Sequence, residues 1–225
     1  MLAMDYRGRI PRARHAQTRP ANRAPGDAIV RLTRSCICGS DLHLYHGLVP
    51  DTRVGTTFGH EFVGVAEAVG EGVQKLKLGD HVLVPFNIFC GSCFFYDRDL
   101  NGNCHNTDPE ASAVLGHQFG AQGRQCVDRG VYGPTFNAVP IGNALNKGLT
   151  LRMNQASVKR HLPRLIEHIQ AGRISPRGII THRVPLEQVA DTYHIFSSKL
   201  DNCIKTILIP PSADQVRAVS ASVLH

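Results

Sequence analysis

The chain has 225 residues, of which 42% are hydrophobic and 6% aromatic, with no Trp, 21 Gly and 13 Pro. That is enough for one good core or two small ones, and its frequent punctuation suits short strands and loops better than a helical bundle. The net charge of +7 is local: residues 1–34 hold eight Arg against Asp5 and Asp27, leaving +1 for the rest. Without aromatics between those arginines the basic stretch argues against a nucleic-acid binder. No uncharged apolar run approaches the roughly 18 residues of a membrane span.

In chain order, residues 1–26 read as a basic, poorly ordered N-terminus, since the stretch is Arg-rich and lacks the apolar segment of an export signal. Alternation with β-branched residues then marks strands over Ala28–Arg34, Glu61–Val69 and Asp80–Phe86. Gly59, Gly64, Gly70, Gly72 and Gly79 supply the turns and bends of a small barrel. Residues 105–126 show no period and read as a loop or junction. Farther on, Val158, Leu162, Leu165, Ile166 and Ile169 share a helical face, with Pro163 predicting a start near it and Gly172 a stop. A strand follows over Gly178–Val184. A helix opened by Pro185 then carries Leu186, Val189, Ala190, Tyr193 and Phe196 on one face, a last strand runs over Cys203–Ile209, and a tail follows it.

The cysteines carry chemistry. Seven is an odd count, and neither an Asn-x-Ser/Thr acceptor nor an export signal accompanies them, so metal-binding thiols in a reducing cytoplasm fit better than disulfides. Cys90-Gly-Ser-Cys93 followed by Cys104 has metal-knuckle spacing. A second candidate pairs Cys38-Gly-Ser-Asp-Leu-His43 with Gly59-His60-Glu61. A thiolate and an imidazole are apt donors for zinc, and a lone buried Cys or turn His is the ordinary reading only when either segment stands by itself.

With these residues in view, the sequence resembles the zinc-dependent alcohol dehydrogenases of the medium-chain dehydrogenase/reductase superfamily, and within them the glutathione-independent formaldehyde dehydrogenase-like branch. The resemblance runs through residues 27–110 and returns from Gly130-Val-Tyr-Gly133 to Pro210, through Asn146–Arg152 and Ile179–His182. It implies an α+β fold. A GroES-like β-barrel catalytic domain is expected over residues 27–125, a remnant of a nucleotide-binding domain over 126–156, the C-terminal part of the catalytic domain over 157–210 and a tail over 211–225.

The resemblance further implies that Cys38 and His60 ligate a catalytic zinc, with Glu61 as an alternative ligand. It implies that Asp41 orients His60, that Ser40 and His43 relay the alcohol proton, and that the substrate is a small alcohol or aldehyde oxidised with NAD. For Ser40 a helix N-cap is the ordinary structural role, one it could fill at the same time. In the Cys90/Cys93/Cys104 lobe the family's remaining Cys is replaced by Tyr96, a poor zinc ligand, so water, His105 or Asp97 would have to complete the set.

No Gly-x-Gly-x-x-Gly occurs in the sequence. Only 25 residues separate Cys104 from Gly130, where the family places a third zinc ligand and most of a dinucleotide fold. The chain therefore reads as a catalytic domain with its Rossmann domain largely deleted. Either it is an oxidoreductase inactive by itself or a non-catalytic zinc-binding module. The strands of the remnant, Gly130–Met153, would present open edges that favour a homo-oligomer.

Overall fold

The computed structural model describes residues 2–5, 13–16, 24–49, 52, 54–87, 89–104 and 156–212. Expectations for residues 105–155, including the remnant and its open edges, and for the tail beyond 212 lie outside the described residues.

The described residues form seven strands: β1 (Leu2–Asp5), β2 (Ala13–Ala16), β3 (Ala28–Cys36), β4 (Phe62–Val69), β5 (His81–Val84), β6 (Ile180–Pro185) and β7 (Lys205–Ile209). Strands β3 to β7 form a five-stranded sheet in the order β5-β4-β3-β7-β6. Its first four strands pair antiparallel, and β6 pairs parallel with β7 across the crossover helix between them. The alternation of small and β-branched residues dictates β3 and β4, which pair from Ala28↔Val69 to Ser35↔Phe62 with two register shifts. Gly64 sits beside one of these shifts. A Cβ there would lie 2.4 Å from the Arg31 carbonyl oxygen and 2.5 Å from Val30 Cγ1, so only glycine lets the backbones approach.

The N-terminus corrects the expectation of an unstructured tail at two places. Strands β1 and β2 pair from Leu2↔Ala16 to Asp5↔Ala13, and Met4 is buried in the main core with Ile37, Val189, Tyr193 and Leu208. The physical reason is that the apolar Leu2-Ala3-Met4 run precedes the arginines, and the Met4 carbonyl accepts the Phe58 N–H at 2.8 Å.

Three helices complete the described fold: α1 (Asp41–Tyr45), α2 (Val158–Gln170) and α3 (Val189–Ser197). Helix α2 begins five residues before the expected start, with Pro163 inside it. Pro163 removes one i→i−4 bond, to the Lys159 carbonyl, but the first turn is held from outside: the Val158 N–H reaches Asn87 Oδ1 at 3.4 Å, and the Lys159 ammonium lies 3.8 Å from the Tyr96 ring centre. Pro185 ends β6 rather than opening α3, and a short 3₁₀ turn over Leu186–Gln188 leads into that helix. Val189 and Tyr193 of its apolar face are buried as the pattern implies.

Candidate metal centre

Two motifs far apart in sequence meet at one end of β3 and β4. Residue Gly59, at φ 102°, takes a conformation that L side chains rarely adopt, and the turn it makes delivers His60 and Glu61 to the start of β4. Opposite, the chain leaves β3 through the fully buried Ile37 and turns at Cys38 into α1. The Cys38 sulfur, a ring nitrogen of His60 and a carboxylate oxygen of Glu61 lie within 4.8 Å of one another.

Asp41 organises the cluster. It is 0% exposed. Its Oδ2 accepts the Cys38 N–H at 2.9 Å, and its Oδ1 lies 2.9 Å from His60 Nδ1. His60 Nε2 is therefore the nitrogen turned toward the sulfur. Ser40 Oγ donates to Cys38 Sγ at 3.1 Å and stands 3.1 Å from Nε2. Ser40 occupies the N-cap position of α1, but its hydroxyl makes no capping bond and is engaged by the sulfur and the imidazole instead. His43 lies half-buried on α1, and its ring makes no hydrogen bond among the described residues, so it is not joined to Ser40.

Glu61 has partners that the sequence did not suggest. Its Oε2 accepts the Cys36 thiol at 2.9 Å and the Lys205 ammonium at 2.6 Å. Cys36 ends β3 two residues before Cys38, and both thiols face Glu61. Lys205 is the lone cation in an otherwise apolar strand, Lys205-Thr-Ile-Leu-Ile, and that misfit was its only signal.

The electrostatics follow. Burial pulls the His60 pKa down, but the Asp41 carboxylate and the Cys38 sulfur outweigh it and raise it to about 10. Burial pushes the Cys38 thiol up, and its bonds from His60 and Ser40 bring it below the ordinary thiol value. Burial and the neighbouring Glu61 push Cys36 up to about 12. Burial also raises the Glu61 carboxyl, yet the Cys36 and Lys205 bonds hold it below its usual range. A sulfur, an imidazole nitrogen and a carboxylate oxygen, with a buried acceptor behind the imidazole, form a donor set that suits zinc. A groove of about 340 Å³ adjoins Glu61 and Cys36 and is walled by Phe62, Val84, Phe86, Val158 and Leu162.

The second cluster also assembles. The sulfurs of Cys90, Cys93 and Cys104 lie within 4.8 Å of one another, with Cys93 and Cys104 at 3.9 Å and the Cys90 N–H on Cys104 Sγ at 3.3 Å. Asp97 does not join them, and His105 lies outside the described residues. Three sulfurs fall one short of the four donors of a structural zinc site.

Comparison with known proteins places these observations. The alcohol dehydrogenase GroES-like domain matches residues 24–136. The chain is 45% identical over 98 residues to an uncharacterized zinc-type alcohol dehydrogenase-like protein of Bacillus subtilis, covering 44% of this chain and 25% of that protein. It is 38% identical over 81 residues to the glutathione-independent formaldehyde dehydrogenase of Pseudomonas aeruginosa, covering 36% and 20%. These alignments span about a quarter of the relatives' length. Among solved structures, the apo form of zinc dependent alcohol dehydrogenase 2 from Streptococcus pneumonia superposes with a TM-score of 0.76 at 19% identity, over 95% of this chain and 99% of that one. The alcohol dehydrogenase of Thermus sp. ATN1 gives 0.72 at 22%, over 94% and 100%. At such identities the likeness is one of fold. No described helix is long and apolar enough to cross a membrane.

Proposed function

The chain belongs to the alcohol dehydrogenase GroES-like domain family of zinc-type dehydrogenases, and on that premise we propose that it holds zinc through Cys38, His60 and Glu61 as the metal-binding part of an oxidoreductase acting on a small alcohol or aldehyde, and that it is inactive by itself. The observation that supports this reading best is the convergence of those three donors over the buried Asp41. Zinc bound there would supply Lewis-acid polarisation of the substrate oxygen.

The chain's own residues divide the rest of the work. Asp41, accepting at Nδ1, keeps the imidazole proton on that side and leaves Nε2 free to donate its electron pair. Ser40 Oγ, within 3.1 Å of both the sulfur and Nε2, is placed to take a proton from a substrate hydroxyl. His43, one turn farther on, is the candidate to pass that proton outward once its ring turns toward Ser40. The apolar groove beside Glu61 would receive the substrate's carbon substituent.

The described βαβ unit, β6–α3–β7, enters its helix through Pro185-Leu186-Glu187-Gln188, which has no glycine to let a pyrophosphate approach the backbone. Hydride transfer needs a nicotinamide held against the substrate carbon, and the proposed inactivity rests on a sequence without Gly-x-Gly-x-x-Gly. The second reading, a zinc-binding module without catalysis, rests on the same observation.

Metal analysis and an NADH assay with formaldehyde and simple alcohols, both on the purified full chain, test the proposal. We expect zinc that is lost from the His60→Ala chain and no turnover above that control. Retention of all zinc by His60→Ala would remove the metal assignment, and turnover by the chain alone would remove the assignment of inactivity.

A further inference from the structure

We propose that the Cys90–Cys93–Cys104 lobe is a site for a soft ion that bonds three sulfurs and needs no fourth ligand, of the arsenic(III) class, in place of four-coordinate zinc. The lobe is built for sulfur coordination. The three sulfurs gather within 4.8 Å, and the 3.9 Å between Cys93 and Cys104 is a span that two thiolates about 2.3 Å from one ion can bridge. The Cys90 N–H points at Cys104 Sγ, and the backbone N–H groups of Tyr96 and Phe95 point at Cys93. Cys90 is exposed, which gives an ion a way in, while Cys93 is buried.

The residues beside the sulfurs depart from a four-donor zinc site. The Tyr96 ring is engaged away from metal chemistry. It packs 5.6 Å from Phe89 and lies under the Lys159 ammonium, which sits 3.8 Å from the Tyr96 ring centre and 5.4 Å from that of Phe89. Among the described residues no His, Asp or Glu joins the three thiols. Soft thiolates favour soft ions, and zinc in a closed site wants four ligands, so a lobe that gathers three sulfurs favours an ion satisfied at three.

With arsenite the exchange balances without electron transfer. Three As–O bonds break and three As–S bonds form, and each thiol proton leaves with a hydroxide as water: one As(OH)₃ and three thiols give one As(SR)₃ and three waters. This site shares no residue with the Cys38 centre, so its fate is independent of the function proposed above.

The test uses the full chain, metal-free and reduced with a non-thiol reductant, titrated separately with arsenite and with zinc. Bound element per chain is measured, and the cysteines shielded from alkylation are mapped by mass spectrometry. A Cys38→Ser background silences the other centre. We expect one arsenic per chain shielding Cys90, Cys93 and Cys104, and at least roughly 10-fold weaker binding in both Cys90→Ala and Cys93→Ser, the exposed Cys90 guarding against a folding artefact at Cys93. We expect Tyr96→Phe to bind arsenite unchanged and Tyr96→Cys to gain roughly 100-fold in zinc affinity. Failure of arsenite to shield these cysteines would overturn the proposal. So would zinc binding by the unmodified lobe as tight as in Tyr96→Cys. Loss of such zinc in His105→Ala or Tyr96→Phe would identify the fourth ligand and overturn it equally.

Discussion

Replacing Asp41 with Asn keeps the size of a fully buried side chain and removes only its charge, which makes it the most informative single change at the Cys38 centre. The carboxylate now does two things: Oδ2 accepts the Cys38 N–H and Oδ1 faces His60 Nδ1, each at 2.9 Å. An amide cannot do both. If its oxygen stays with Cys38, its NH₂ donates to Nδ1 and the ring proton moves to Nε2, the nitrogen that faces the sulfur; if it flips, the Cys38 N–H loses its acceptor. The charge itself also matters, for it raises the His60 pKa in the metal-free chain and so strengthens the proton that competes with the metal. The metal carries two charges against the proton's one, so the loss of the carboxylate weakens metal binding more than it weakens the competitor. Supporting carboxylates of this kind are worth about 10–100-fold in metal affinity, or about 1.4–2.8 kcal/mol. Competition with a chelator at neutral pH measures this, and nitrogen NMR of the metal-free chain reads the tautomer and charge of His60. Zinc affinity in Asp41→Asn within twofold of the unmodified chain, with His60 unchanged, would refute the reasoning.

Lys205→Met should tighten divalent-metal binding a few-fold, because the ammonium 2.6 Å from Glu61 Oε2 both occupies the carboxylate and repels a dication; weaker binding in the same chelator competition contradicts this role. Gly64→Ala should destabilise the chain by about 1–3 kcal/mol, since its Cβ would sit 2.4 Å from backbone oxygen, and an unshifted urea midpoint would show that β3 and β4 can part to admit it. In the metal-free chain the pKa of His60 is raised from 6.5 to about 10, so its charged form stabilises the fold. That contribution is complete below about pH 6.5 and is lost as pH climbs toward 10. Thermal melts should therefore fall more steeply across that window in the unmodified chain than in His60→Gln, and parallel slopes count against the Asp41–His60 pairing.

What the sequence made legible were features carried by local pattern. Period-two alternation located all five strands of the main sheet, ending within two residues or so of β3 to β7, because each buries one face and a one-residue slip would expose it. The Gly-His-Glu and Cys-Gly-Ser-Asp motifs were legible for a similar reason, since glycine conformation and side-chain chemistry are fixed within a few residues. What stayed hidden depended on contacts across the chain. The start of α2 was misplaced because Pro163 locally signals a boundary, while Asn87 and Tyr96 support the turn before it from outside. Met4 looked like part of a basic tail because its burial depends on β1 pairing with β2 and on Phe58. The Lys205–Glu61 pair spans 144 residues, beyond any local signal.

Those distant contacts define how the centre is held. The loop that carries Cys38 is clamped by the C-terminal unit: the Ile37 N–H donates to the Thr206 carbonyl at 3.3 Å, and Ser35 and Cys36 pair with Leu208 and Ile207. A ladder of two residue pairs is too short to fix a loop by itself, so side chains must do the rest. Ile37, Val189, Tyr193 and Leu208 bury together behind the Cys38 turn, and Tyr193 stacks on Tyr45 of α1 with ring centres 5.6 Å apart. Burial raises the Tyr193 phenol well above its ordinary pKa, with the Asp41 charge adding to it, so at neutral pH it stays a neutral donor beside that carboxylate. Residues 36–61 thus supply the candidate ligands and the stretch from β6 through β7 supplies their backing. Metal affinity should accordingly respond to packing at Leu208 or Val189, which are not themselves donors, as well as to the donors; a chelator competition on Leu208→Ala matching the unmodified chain would refute this.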